Sequence, residues 1–346
     1  MNKLLVWQPV PALSFAISLR FVVAVVTLVT ALLVTSFIGI QIGSSSIPVG
    51  DLWAALTQPL DRLGDDALTA YHFRIPRIVG GIFCGMLMAG AGYLLQVVSR
   101  NGLADAGVLG ISEGAVAAVV ISILMFGVVP REWLSLISVF GAFSTALLVL
   151  ALGRRLMASG GIILIGIAIN IVLGAVVEVI VISGGIEQFA SMLIWSRGTL
   201  ATIARGDMDF LIWAGMPLIA VLVVSSRHLS PFALGDEQAR AMGHNTRLLT
   251  PYFMLLAAAL LAPVVATAGP ISFLGLMSSY FARRFVGDRP AEVLITALLT
   301  GALLFLLADS IGRSLFYPAI IPAGILVSVV GVPAFLIAAR LSRGRA

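Results

Sequence analysis

The chain has 346 residues, of which 60% are hydrophobic and only 11% charged, with a net charge of +5 and a mean hydropathy of +1.10. A soluble domain carries roughly 25% charged residues, so a water-soluble globule is excluded and a polytopic membrane protein is indicated. Lys3 is the only lysine and Cys84 the only cysteine, which excludes a Walker A phosphate cradle, a Schiff-base lysine in the body of the chain, an internal disulfide and a thiolate metal cage.

About 20 consecutive apolar residues cross a bilayer core as a helix. Breaks at charges, glycines and prolines leave about ten such stretches, near residues 18–41, 76–97, 107–128, 135–153, 160–183, 208–226, 247–268, 270–285, 292–313 and 320–341. The first is longer than a signal-peptide core and lacks a small-residue cleavage site, so it reads as an uncleaved span. Between the first two spans, Leu52-Trp-Ala-Ala-Leu56 predicts a short amphipathic helix at the interface, with Trp53 as its anchor. Arg74 and Arg77 flank Pro76, a residue suited to the first turn of a helix, which predicts that the second span starts there with both charges at its outer mouth. The eighth stretch, GPISFLGLMSSYFARRF, is short and carries Gly and Ser. Irregular backbone at membrane depth must be covered by protein or line a cavity, so this segment is expected to be buried. His72, His228 and His244 lie far apart in sequence and outside the apolar runs. They read as interfacial residues, and no metal site is expected. The class is all-α, a single transmembrane domain over residues 1–346.

With the N-terminus inside, arginines in the predicted inner loops outnumber those in outer loops by roughly two to one, in the positive-inside sense. Both termini are then expected to be cytoplasmic. The asymmetry accounts for the net positive charge without invoking nucleic acid.

The loop at 233–249, ALGDEQARAMGHNTRLL, interrupts this apolar sequence with a compact charged island that falls on the inner side. Asp236 and Glu237 suit the start of a short helix, where the dipole favours negative charge. Arg240 stands at i+4 from Asp236, a pairing distance. Gly243 fits the position just past the helix end, and Asn245 can cap the next helix. The result is a rigid, solvent-facing knob, read either as a well-capped loop or as a docking surface for a partner.

Glu237-x-Ala239-x-x-x-Gly243 resembles the E-A-A-x-x-x-G loop of ABC importer permeases. Phe73-Arg-Ile-Pro-Arg77, the run QVVSRNGLADAGVLG from Gln96 to Gly110, Ala268-Gly-Pro-Ile-Ser-Phe-Leu-Gly-Leu276, Leu307-Ala-Asp-Ser-Ile-Gly-Arg313, Pro322-Ala-Gly324 and Gly331-x-Pro333-x-Phe335 resemble, in order, the pattern of the FecCD-type permeases for iron-siderophore, haem and cobalamin uptake. The resemblance implies a permease of the large type that performs no bond chemistry and binds no cofactor. Its ATP and Mg would sit on a separate ATP-binding subunit. It would pair with a second permease copy, identical or not, and receive substrate from a periplasmic or lipoprotein binding protein. Carried onto this chain, the coupling loop is Gly235, Asp236, Glu237, Ala239, Arg240 and Gly243. Arg74, Arg77 and Arg313 would receive acidic groups of the binding protein. Ser159, Asn170 and Glu178 would belong to the pathway and its gate.

Asp309 stands four residues before Arg313, so an intrahelical pair is expected. The sequence departs from the family at Gly102 and Ala106, where prolines are usual, and at Ser279 and Tyr280, which stand for a proline and a histidine. The latter two are expected near the ATPase contact. A ferric siderophore is the expected substrate, with haem or cobalamin next. A proton-coupled secondary transporter using Glu178 or Asp309 is the rival from a different class.

Overall fold

The computed structural model describes residues 4–10, 13–41, 47–105, 107, 109–127, 129–153, 161–183, 195–233, 236–315 and 320–343. A small antiparallel hairpin, β1 (Leu4–Val10) and β2 (Leu13–Ser18), precedes the helices. It is an addition to the all-α expectation. Then follow α1 (Leu19–Gln41), α2 (Val49–Thr57), α3 (Asp65–Thr69), α4 (Ile75–Ser99), α5 (Ile111–Phe126), α6 (Arg131–Gly153), α7 (Gly161–Ser183), α8 (Arg205–Ser225), α9 (Leu229–Ala233), α10 (Asp236–Ala241), α11 (Thr246–Ala268), α12 (Leu274–Val286), α13 (Pro290–Ser314) and α14 (Ala323–Arg343). Among the described residues, seven helices are long and apolar enough to cross a membrane, and two shorter apolar ones run over Ile111–Phe126 and Ala323–Pro333. The interfacial helix expected around Trp53 is α2, with Trp53 exposed.

The second span does not begin at Pro76. A continuous helical run reaches back to Asp65 through a π turn at Ala70–Arg74. Proline lacks an N–H and its ring clashes with the carbonyl four residues earlier, here that of His72. A wider turn immediately before Pro76 accommodates the ring, a common use of π geometry. It also changes the angular register of the helix, and Arg74 ends up buried.

Helix α4 is the axis of the molecule. It packs on α13, α11, α12 and α8, and its glycines allow backbones to touch. A Cβ on Gly85 would lie 2.5 Å from the Ala302 Cα, and one on Gly92 would lie 2.5 Å from the Gly275 Cα. Helices in lipid gain no hydrophobic drive from meeting each other, so close packing of small residues carries their association. Gly92→Leu is therefore expected to abolish a monodisperse, folded species in size-exclusion chromatography. The cost exceeds the ~1–3 kcal/mol of ordinary overpacking because backbone, not a side chain, must move. A normal elution profile would refute the close-contact account.

Helix α1 is held at both ends. Ser18 caps it, its Oγ accepting the Phe21 N–H at 3.1 Å. The Ser18 N–H and hydroxyl both donate to Glu292, at 3.1 and 2.6 Å. The opposite end lies against Arg74 and Arg313. Thus α1 and α13 run parallel, and α4 runs antiparallel to both. The end of the molecule with Ser18, Ser99 and Pro290 is called the near end below, and the end with Gly39, Arg77 and Asp309 the far end. In contrast to α4, only 6% of the apolar window of α1 and 11% of that of α7 is buried. Those two helices leave much of their surface uncovered by this chain.

Candidate functional site

At the near end, the described part of the predicted knob at 233–249 is α10 and the start of α11, seated on α9. Leu229, Phe232 and Ala239 are its buried feet. Phe232 packs edge-on against Phe253 of α11 at 5.7 Å between centroids, and the Arg100 guanidinium at the end of α4 lies over its ring at 6.0 Å. The knob therefore touches both α4 and α11 through one aromatic side chain. Helix α10 ends as expected at Gly243, with φ +83°. The Gly243 N–H donates to the Arg240 carbonyl and the His244 N–H to the Ala239 carbonyl, each at 2.9 Å. These are the two bonds of a Schellman motif, and the left-handed residue they require is most cheaply glycine. Asn245 caps α11, its Oδ1 accepting the Arg247 N–H at 3.1 Å. Glu237, Arg240, Met242 and Gly243 are exposed on the tip while Ala239 points inward. Arg240 donates from Nε to Thr246 Oγ1 at 3.3 Å. Gly235 lies outside the described residues, and so does the Asp236 side chain on which the expected Asp236–Arg240 pair depends.

Two of the three histidines, distant in sequence, meet here. His228 Nδ1 and His244 Nδ1 are 3.4 Å apart, and Arg227 donates from Nε to His228 Nε2 at 3.1 Å. The turn after α8 is thereby tied to the turn after α10.

At middle depth, α5 and α12 both begin inside the protein. At 16 and 13 residues they span about 24 and 20 Å, less than the roughly 30 Å of a bilayer core. Asp105 joins their starts. Its Oδ2 accepts the Phe273 N–H at 2.9 Å and the Gly107 N–H at 3.4 Å. Phe273 has φ +66°, a strained conformation for a bulky residue. A buried carboxylate held on such a backbone ties the α4–α5 loop to α12. The Leu-Ala-Asp block gives Asp105 no role from sequence pattern alone. The available signal was an acid between two short apolar stretches.

Ser279 is not on a contact face. It is fully buried and donates from Oγ to Gln96 Oε1 at 2.9 Å. This departure from the family pattern is an internal α12–α4 link. Asn170 of α7 packs beside Gly110, with its Oδ1 buried and unbonded among the described residues. Glu178 is exposed on the face of α7 that this chain leaves uncovered. Ser159 lies outside the described residues.

At the far end, two of the three arginines bond the C-terminus of α1 and the third pairs with α13. Arg74 Nη1 donates to the Ile40 and Gln41 carbonyls at 2.5 and 3.2 Å. Arg313 Nη2 donates to the Gly39 carbonyl at 2.5 Å. Cations at a helix C-terminus offset its dipole and satisfy its last carbonyls. Arg77 makes a two-pronged pair with Asp309, at 2.9 Å from Nε and 2.7 Å from Nη2. The expected Asp309–Arg313 pair within α13 is thus replaced by an interhelical one. Arg77 reaches Asp309 across the α4–α13 contact, and Arg313 turns instead to α1.

Residues 31–340 match the FecCD transport family. The chain is 33% identical to the iron(3+)-hydroxamate import system permease protein FhuG of Bacillus subtilis (strain 168), covering 90% of this chain and 95% of that protein. It is 33% identical to the hemin transport system permease protein HmuU of Yersinia pestis, over 77% and 81% of the two chains. Among solved structures it is similar to one described as an inward-facing conformation of a metal-chelate type ABC transporter, with TM-score 0.80 and 25% identity, covering 92% of this chain and 99% of that one. The helical order, the capped loop at 233–249 and a match spanning nearly the whole sequence place the chain in the FecCD transport family.

Proposed function

We propose that this chain is the transmembrane subunit of an ATP-driven importer that carries a ferric siderophore across the bacterial inner membrane by alternating access. The observation that carries this reading is the rigid, capped knob at 233–249 within a FecCD chain whose relatives include the iron(3+)-hydroxamate permease and an Fe(3+)-citrate permease protein of Bacillus subtilis. A separate ATP-binding subunit, carrying ATP and Mg, grips Glu237, Arg240 and Gly243 from the cytoplasm, the side on which both termini lie. Its closure moves the knob as a unit. Phe232 passes that movement to α4 through Arg100 and to α11 through Phe253.

A second copy of the permease, or a paired one, covers α7. An exposed carboxylate on a spanning helix is costly against lipid, so Glu178 faces the water-filled pathway between the two subunits, with Asn170 deeper along it. Arg74, Arg77 and Arg313 receive acidic groups of the binding protein at the outer mouth. Their guanidiniums hold Asp309 and the α1 carbonyls in this conformation. Docking is then an exchange of acceptors, incoming carboxylates replacing internal ones. Such pairs orient the encounter more than they add affinity. Wide pathways of this kind leave substrate choice to the binding protein.

The test is co-purification from native membranes in mild detergent, followed by reconstituted uptake of ferric hydroxamate, hemin and vitamin B12. Recovery of an ATPase subunit and uptake of the ferric chelate are expected. Transport of hemin or vitamin B12 instead would reassign the substrate. A chain recovered alone, even after cross-linking at residues 236–243, would sink the importer reading and revive a secondary transporter.

A further inference from the structure

A groove of about 490 Å³ opens at the near end between α8 and α11, beside the knob and apart from the proposed pathway. One wall is apolar, formed by Val221, Val224 and Leu249, and the mouth carries Arg227 and His228. None of its lining residues is acidic. Val221 and Val224 are 43% and 65% exposed, and on the same helix Trp213 and Met216 are exposed as well. The apolar wall is therefore continuous with the lipid-facing surface of α8. Ser225 Oγ and Tyr252 Oη, 2.6 Å apart, add a hydroxyl pair to the lining.

We propose that this groove binds an anionic phospholipid, with its phosphodiester on Arg227 and one acyl chain along Val221 and Val224. The argument is complementarity in two zones. A guanidinium recognises phosphate oxygens through paired N–H donors. Arg227 uses Nε on His228, which leaves its two Nη groups for an external acceptor. The Ser225–Tyr252 hydroxyls suit glycerol and ester oxygens. A soluble phosphate would leave the apolar wall unused, and a zwitterionic lipid would bring its own ammonium to offset the phosphodiester that Arg227 binds. Basic side chains at the membrane surface are attracted to anionic headgroups.

The lipid is wired to the knob. Arg227 bonds His228, and His228 meets His244 just past α10. An occupied groove holds that chain of contacts in place and stiffens the joint between α8 and the coupling loop. This consequence rests on the importer reading; the binding does not.

The experiment places the full chain, with whatever subunits co-purify, in nanodiscs of phosphatidylglycerol or of phosphatidylcholine. Lipids retained after detergent release are then counted by native mass spectrometry. Phosphatidylglycerol is expected to be retained over phosphatidylcholine. Arg227→Gln is expected to cut that retention about tenfold, as for loss of a charge-assisted contact. Arg62→Gln, at the exposed far end, is expected to leave it unchanged. Equal retention of the two lipids, or full retention in Arg227→Gln, overturns the site. Displacement by millimolar inorganic phosphate would make it a free-anion site and overturns the lipid assignment. Oxidative cross-linking of Val224→Cys to another copy would put a subunit on the groove and likewise overturns the lipid assignment. Unaltered retention alongside absent ATP-driven uptake would sink the importer reading and leave the lipid site standing.

Discussion

Asp309→Ala is expected to lower stability by about 3–5 kcal/mol, the cost of leaving a buried cation without its partner. The Arg77 and Asp309 side chains are 14% and 4% exposed and joined by two short bonds. Arg74 and Arg313 approach the same helix end and add positive charge to it, so neither can replace the lost carboxylate. The loss is read as a shift in an SDS unfolding titration of the purified protein. The double variant Arg77→Gln/Asp309→Asn is expected to recover most of it, because a neutral pair of similar shape removes the buried charge rather than stranding it. Wild-type stability in Asp309→Ala would mean that the pair is dispensable. A double variant as unstable as the single one would mean that shape, not charge, is what the site requires.

Gly243→Pro is expected to leave the protein inserted and folded but to abolish ATP-driven uptake. Proline fixes φ near −65° and lacks the N–H that bonds the Arg240 carbonyl, whereas the native residue sits at φ +83°. Both Schellman bonds are lost, and the tip carrying Glu237 and Arg240 changes direction. Gly243→Asn is the control. Asparagine visits the left-handed region at modest cost, so most uptake should persist. Glu237→Arg, which reverses charge without touching the turn, should uncouple transport with the Schellman turn intact. Normal uptake in both Gly243→Pro and Glu237→Arg would remove the coupling role from residues 233–249.

Much of the local architecture is legible in the sequence. Spans 247–268 and 292–313 correspond to α11 and α13 within two residues, because an apolar run of bilayer length can satisfy its backbone in lipid only as a helix. The helix at Trp53, the turn at Gly243 and the cap at Asn245 are equally visible. Each depends on a residue type acting within four or five positions of itself. The start of α4 is not legible in the same way, because Pro76 signals a first turn unless the preceding backbone widens to admit it. Here the backbone does widen, and Arg74 is buried.

The sequence by itself determined the class, the helices and the capped, charged loop, since those follow from hydropathy and short-range hydrogen bonding. Only the tertiary structure decided which groups pair. Asp309 had a cation four residues away and another 232 residues away, and took the distant one. Ser279 turned to Gln96, Asp105 to Phe273 and His228 to His244. For the buried Asp309, Ser279 and Asp105, a polar group in an apolar surrounding must find a partner. The glycine contacts of α4 with α12 and α13 fix which partners come within reach.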